Sequence, residues 1–193
     1  MGDLDLALPR SPEVATSGVA ETGPQRALAL VRDHFDFVWR LLCRLGVPEP
    51  DADDAAQQVF LVATQRLAKI PVEGERTFLY GTALRTAGTL RRNHRRRARW
   101  VEPGPADGVS PDLEPDAQLE RRQALAFLDE VLRRLNDRLR EVFVLCEIEE
   151  LSAPQVAVIA GIPVGTVASR LRRARQEFGR EVRRLHAERS RSR

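Results

Sequence analysis

Residues 152–175 read SAPQVAVIAGIPVGTVASRLRRAR, and no other stretch limits the possible folds so strongly. Ser152 suits a helix N-cap, because its hydroxyl can accept from a free first-turn amide. Pro154 is tolerated in a first turn, whose amides lack intrahelical partners. Ala157, Gly161 and Val167 follow at intervals of four and six. A small residue lets a second helix cross closely, and a glycine supplies a left-handed turn. An apolar residue on the second helix fills the angle between the two. Val156, Ile159, Ile162, Leu171 and Ala174 complete a small core. This pattern predicts a helix-turn-helix. Its second helix is expected to keep Val164, Val167, Leu171, Ala174, Phe178 and Leu185 inward. The other side presents Thr166, Ser169, Arg170, Arg172, Arg173 and Gln176. Short polar groups and arginines near a helix start are what a major-groove reader offers.

The rest of the chain shows only helical spacing, so the expected fold is all-α. Leu28, Val31, Phe35, Val38, Leu42 and Leu45 recur at steps of three and four, the spacing of one helix face, before Gly46-Val47-Pro48 stops the helix. A second helix is expected from about Asp51 to Lys69, with Ala56, Val59, Ala63 and Leu67 inward. Its acidic start, Asp51, Asp53 and Asp54, suits the positive end of a helix dipole. A third helix, from about Thr77 to Arg99, is apolar in its first half and basic in its second. Six arginines crowd RRNHRRRAR, residues 91–99; Phe78 and Tyr80 open that helix and Trp100 closes it. Aromatics beside a cationic track fit single-stranded or melted DNA.

Residues 101–118 hold four prolines, two glycines and five acids without a base. Such a segment reads as a linker and divides the chain into two helical modules. Beyond it, Leu125, Leu128, Leu132 and Leu135 mark another helix. Asn136-Asp137 interrupts or caps it, and Leu139, Val142, Phe143 and Cys146 mark the next. The expected organisation is a disordered leader at 1–23, a first module at 24–100, the linker at 101–118, a second module at 119–186 and a basic tail at 187–193.

Several function classes fall away. No run approaches the roughly 18 apolar residues of a membrane span, and the acidic N-terminus does not read as a signal peptide. Cys43 and Cys146 lie within apolar helical patterns and read as buried thiols of a cytoplasmic protein. His34, His94 and His186 pair with no cysteine or carboxylate at metal spacing, and neither a glycine-rich phosphate loop nor a GxSxG nucleophile is present. No enzyme and no cofactor is expected. A helix-turn-helix regulator that binds an operator on its own is the alternative class, but the ligand or phosphoacceptor domain it would carry is not visible.

The order of these parts resembles the extracytoplasmic-function group of the sigma-70 family, which keeps regions 2 and 4. The resemblance covers about residues 25–185. DADDAAQQVFLVATQRL (51–67) resembles the region 2 helix that docks on the polymerase clamp helices. FLYGTALRTAGTLRR (78–92) resembles the helix that engages and helps open the −10 element. Residues 135–175 resemble region 4, the reader of the −35 element, and PVGTVASRLRRAR is the most specific match. Gln58 stands where the family usually has glutamate, and Ala168 where lysine is common.

The resemblance implies a sigma factor whose partners are core RNA polymerase, promoter DNA and an anti-sigma factor, without membrane insertion. Asp51, Asp54, Gln57 and Gln58 are then the expected polymerase contacts. Phe78, Tyr80, Arg85, Arg91, Arg92, Arg95, Arg96 and Arg97 are the expected −10 contacts. Thr166, Ser169, Arg170, Arg172, Arg173 and Arg175 are the expected −35 contacts.

Overall fold

Helix α1, Gly23–Arg44, buries Leu30, Val38, Leu41 and Leu42. Its end is dictated by Gly46. With φ of +91°, Gly46 takes a conformation that L side chains resist. The amide of Val47 returns to the carbonyl of Leu42 at 3.0 Å, and that of Gly46 to Cys43 at 2.9 Å. This pair of bonds satisfies orphan carbonyls at a helix end and turns the chain sharply. The structure, a computed structural model, describes residues 23–98 and 116–191.

Helix α2, Glu49–Arg66, starts with Pro50 in its first turn and Glu49 and Asp51 near its positive end. It buries Ala52, Ala55, Ala56, Val59, Phe60 and Ala63, so alanines let α1 and α3 approach closely. A 3₁₀ turn, Leu67–Lys69, follows. Arg26 of α1 closes this end of the module. It donates to the carbonyls of Leu67 (3.3 Å) and Ile70 (2.6 Å) and pairs with Glu75 at 2.6 Å. Helix α3, Glu75–Ala98, buries Leu79, Tyr80, Ala83, Leu84 and Ala87 before its sequence turns basic. The expected inward face of α2 is correct. The α1 stripe is not wholly so: Leu28 is 73% exposed. It sits well off the centre of the buried face, which runs through Leu30, Leu41 and Leu45.

The second module is built from α4 (Asp116–Arg134), α5 (Asp137–Phe143), α6 (Ala153–Ala160) and α7 (Val164–Arg191). The side chain of Asn136 accepts from the amide of Arg138 at 3.1 Å, so the residue expected to interrupt or cap the preceding helix is the N-cap of α5. The chain continues as a π-helical turn, Val144–Ile148, whose Val144 and Leu145 are buried. Phe143 stacks on Phe178 with centroids 4.6 Å apart, which ties α5 to α7. Leu125, expected inward, is 45% exposed, because the packed part of α4 begins later, at the half-buried Phe127 and Leu128, and becomes fully buried at Val131 and Leu132.

Among the described residues the fold is all-α. The leader at 1–22, the linker over 101–115 and the tail at 192–193 lie outside them. Residues 116–118 begin α4, and α7 continues through Arg191. The two modules touch along a seam where α3 meets α6 and α1 meets α4.

Candidate nucleic-acid interface

Helix α6 begins at Ser152, which forms a capping box with Gln155; the Gln155 side-chain oxygen accepts from the Ser152 amide at 2.9 Å. It ends at Gly161, whose φ of +65° is left-handed. The amide of Ile162 returns to Ala157 at 3.1 Å. The chain therefore turns within the three residues Gly161, Ile162 and Pro163, and α7 leaves from Pro163 across α6. Val156, Val167, Ala174 and Leu185 are buried at or near this crossing and along α7. The turn chemistry legible in residues 152–175 is the turn observed. One residue differs: Val164 is 46% exposed, because the first residue of α7 precedes the crossing.

With Val167 and Ala174 inward, Ser169, Arg172, Arg173 and Gln176 project to solvent. Thr166 and Arg170 are half-buried at the edges of this face. The hydroxyl of Ser169 donates to the carbonyl of Thr166 at 3.0 Å, which leaves its lone pairs outward. Arg175 is exposed but held by Glu147 at 2.6 Å. An open groove of about 750 Å³ runs along the face, with Arg138 and Asn136 from the start of α5 on its far wall. Neither residue belonged to the expected site. Their signal was the Asn136 cap itself, which marks a helix start aimed at the groove.

On α3 the basic residues divide. Arg85, Arg92, Arg95 and Arg96 are exposed, and Phe78 is half-buried. Arg91 is 7% exposed; it reaches the carbonyl of Leu45 and the carboxylate of Glu141. Tyr80 is 2% exposed, packed edge-on against Phe37 at 5.0 Å. Its hydroxyl donates to Glu149 at 3.0 Å, and burial first, then the Glu149 charge, pushes its pKa up to about 12. The structure thus places Tyr80 and Arg91 at the seam, apart from the exposed basic face. The side chain of Arg97, and Trp100, lie outside the described residues.

On α2, Asp54, Gln57 and Gln58 are exposed on one side, together with Leu61 at 55% exposure. Asp51 is half-exposed and turned toward α3, where it meets His94 at 2.8 Å. Leu61 was not among the expected contacts. Its signal was an apolar residue two positions beyond the inward Val59, off the stripe. Among the described residues no group of histidine, cysteine and carboxylates could hold a metal, and no helix is long and apolar enough to cross a membrane.

Known proteins carry the same pattern. The family described as Sigma-70, region 4 matches residues 126–178, which run from within α4, through α5 and α6, into α7. Over 181 residues the chain is 32% identical to the RNA polymerase sigma factor CnrH of Cupriavidus metallidurans, covering 88% of this chain and 94% of that one. It is 29% identical over 181 residues to the ECF RNA polymerase sigma factor SigE of Mycolicibacterium smegmatis, covering 91% of this chain and 70% of that one. The fold is similar to that of CnrH solved in complex with the cytosolic domain of CnrY. There the TM-score is 0.57 at 26% identity, over 81% of this chain and 86% of that one. A helix-turn-helix with a polar, arginine-rich exposed face, a separate basic helix and relatives matched over most of their length lead to one assignment: this chain belongs to the extracytoplasmic-function group of the sigma-70 family of RNA polymerase sigma factors.

Proposed function

We propose that each helix face described above serves one step of promoter-specific initiation. The exposed side of α2, with Asp54, Gln57 and Gln58 and with Asp51 at its edge toward α3, docks on the clamp helices of core RNA polymerase, and Leu61 lies one turn beyond Gln57 and Gln58 as an apolar anchor. Buried anchors ringed by polar groups carry most of the energy of such interfaces. Helix α3 follows the −10 element through Arg85, Arg92, Arg95, Arg96 and Arg97. Arg91, Tyr80 and Phe78 join once the seam parts. Helix α7 reads the −35 element through Thr166, Ser169, Arg172 and Arg173, with Arg170 and Arg175 on phosphates. The chain takes no catalytic part; it works in the cytoplasm, where the polymerase is. A protein partner restrains it, as the solved complex of its relative CnrH with the cytosolic domain of CnrY suggests by analogy.

One observation carries this reading: Ser169, Arg172 and Arg173 stand exposed on α7 immediately after a glycine-turned helix pair. Run-off transcription with core polymerase tests it. Start sites that appear only when the protein is added, and that share −10 and −35 sequences, are expected. A protein that binds its DNA yet neither associates with core polymerase nor directs starts is instead an operator-binding regulator.

A further inference from the structure

Glycine stands at residue 165, the second position of α7, where neither conformation nor space asks for it. Among the described glycines only Gly46 and Gly161 have positive φ, so Gly165 has backbone that any L residue adopts. A Cβ built there would meet nothing within 4 Å. Glycine also costs a helix backbone entropy that alanine does not. Nothing inside the fold offsets that cost. Along the helical repeat, Gly165, Ser169, Arg172 and Gln176 follow at steps of four, three and four, and all four are exposed. They form one stripe opposite the inward Val167 and Ala174. Side-chain reach grows along it, from no side chain, through a hydroxymethyl group, to a guanidinium. The Ser169 hydroxyl is drawn back further, since it donates to the Thr166 carbonyl at 3.0 Å. A stripe graded in this way fits a surface that the helix meets at a tilt, with its first turn closest. The two borders of the stripe differ. On one side stand Val164, 46% exposed, and Ala168, also exposed; on the other stand the half-buried Thr166 and Arg170.

We propose that α7 meets −35 DNA backbone-first at Gly165, and that this close approach seats the Val164 side chain on the 5-methyl group of a thymine in the major groove. The inference rests on the assignment of α7 to the −35 element and adds to it a thymine preference set by residues without a polar side chain. The thymine methyl is the apolar group that the major groove displays, so an apolar border of the reading stripe has one partner there. Ala168, one turn after Val164, extends that border without projecting beyond it. A Cβ at Gly165 would lift the first turn away from the DNA and withdraw Val164 and Ser169 together.

The test has two arms, both with holoenzyme assembled from core polymerase and the full chain, on a promoter identified by run-off transcription. In the first, Gly165→Ala should unfold no earlier than the wild type and bind core polymerase equally. Its promoter occupancy should be at least about tenfold weaker, the effect of one overpacked contact. Gly179→Ala, on the same helix, is the control: a Cβ there meets only the Arg183 guanidinium at 3.6 Å, and occupancy should not change. Wild-type occupancy by Gly165→Ala, or an equal loss in Gly179→Ala, overturns the close approach. Earlier unfolding of Gly165→Ala overturns it too, because the fold itself would then need the glycine. In the second arm, each −35 thymine is replaced in turn by deoxyuridine, which lacks only the methyl group. One position should cost the wild type about threefold to fivefold, the worth of one buried methyl. Val164→Ala should lose a similar factor on thymine and be nearly indifferent to uracil. No methyl-sensitive position, or the same sensitivity in Val164→Ala, overturns the seating of Val164. A scrambled −35 element that costs nothing overturns the −35 assignment and this inference with it. Dependence on the −35 sequence that survives Gly165→Ala and ignores methyl removal overturns this inference alone.

Discussion

The guanidinium of Arg140 donates to the main-chain carbonyl of Leu45, 95 residues earlier, at 3.3 Å. That carbonyl belongs to the last turn before Gly46, and Arg91 reaches it as well. One helix end of the first module is thus capped by a cation of the second. The arrangement exists because Gly46 carries no side chain and adopts φ of +91°.

Two glycines then make a controlled comparison. Both Gly46 and Gly161 have positive φ, but only Gly46 faces a guanidinium; nothing lies within 4 Å of a Cβ at Gly161. Gly161→Ala is expected to cost about 1–2 kcal/mol, the strain of a left-handed non-glycine residue. Gly46→Ala is expected to cost about 1–3 kcal/mol more, from overpacking against Arg140. Urea denaturation of both variants measures the difference; equal losses would mean that Arg140 does not occupy that space in solution.

Polymerase docking is best probed at Asp54 and Leu61, since Asp51 is engaged with His94. Asp54→Arg should weaken the complex with core polymerase and leave thermal unfolding unchanged. Leu61→Ala should cost about 1–2 kcal/mol of binding if it is an anchor, which is about five- to thirtyfold in Kd. Binding titrations with labelled core enzyme check both. Wild-type affinity in both folded variants removes this face of α2 from the interface.

Arg92 and Arg96 lie four residues apart and exposed on α3. Changing both to alanine should lower the slope of log affinity against log salt by about 0.9 for each lost duplex phosphate contact. A slope identical to that of the wild type shows that they do not touch DNA.

On α7 the expected losses differ in kind. Arg172→Ala or Arg173→Ala should relax preference at one −35 position, by about 1–3 kcal/mol if the lost contact is a bidentate pair with guanine. Arg175→Ala should lower output evenly across sequences, because a phosphate contact carries no sequence information. It also frees Glu147, whose carboxylate then stands unpaired near the DNA. Transcription from a randomised −35 library distinguishes the two patterns.

The thiols supply a test of packing. Burial, with help from Glu49, Asp129 and Asp53, pushes Cys43 from 9.0 up to about 11, and burial raises Cys146 as well. A raised pKa means less thiolate below it, so stability from the neutral thiol is present below pH 9 and is lost as pH rises through about 11. At pH 8, Cys43 should react with a disulfide reagent about a hundredfold more slowly than an unhindered thiol of pKa 9.0, from thiolate fraction alone. Both cysteines should react fast in denaturant. Rapid native reaction of Cys43 contradicts the packing of α1.

Local chemistry makes the helix-turn-helix legible in the sequence itself. The Ser152 cap, the left-handed Gly161 and the spacing of Val167 and Ala174 act within a few residues, so sequence order alone determines them. The same holds for the Asn136 cap and the Gly46 stop. Periodicity also finds the inward face of α2. It overreaches at Leu28, Leu125 and Val164, because a repeat does not record where the packing partner ends. Tyr80 reads as a DNA-facing aromatic from its basic neighbourhood. Tertiary structure places it under Glu149, 69 residues away. Arg91 and Arg140 look like any other arginines in an arginine-rich chain. Their burial is decided only when folding brings Leu45, Asp137 and Glu141 to them, because a charge leaves water only where distant partners replace its hydration.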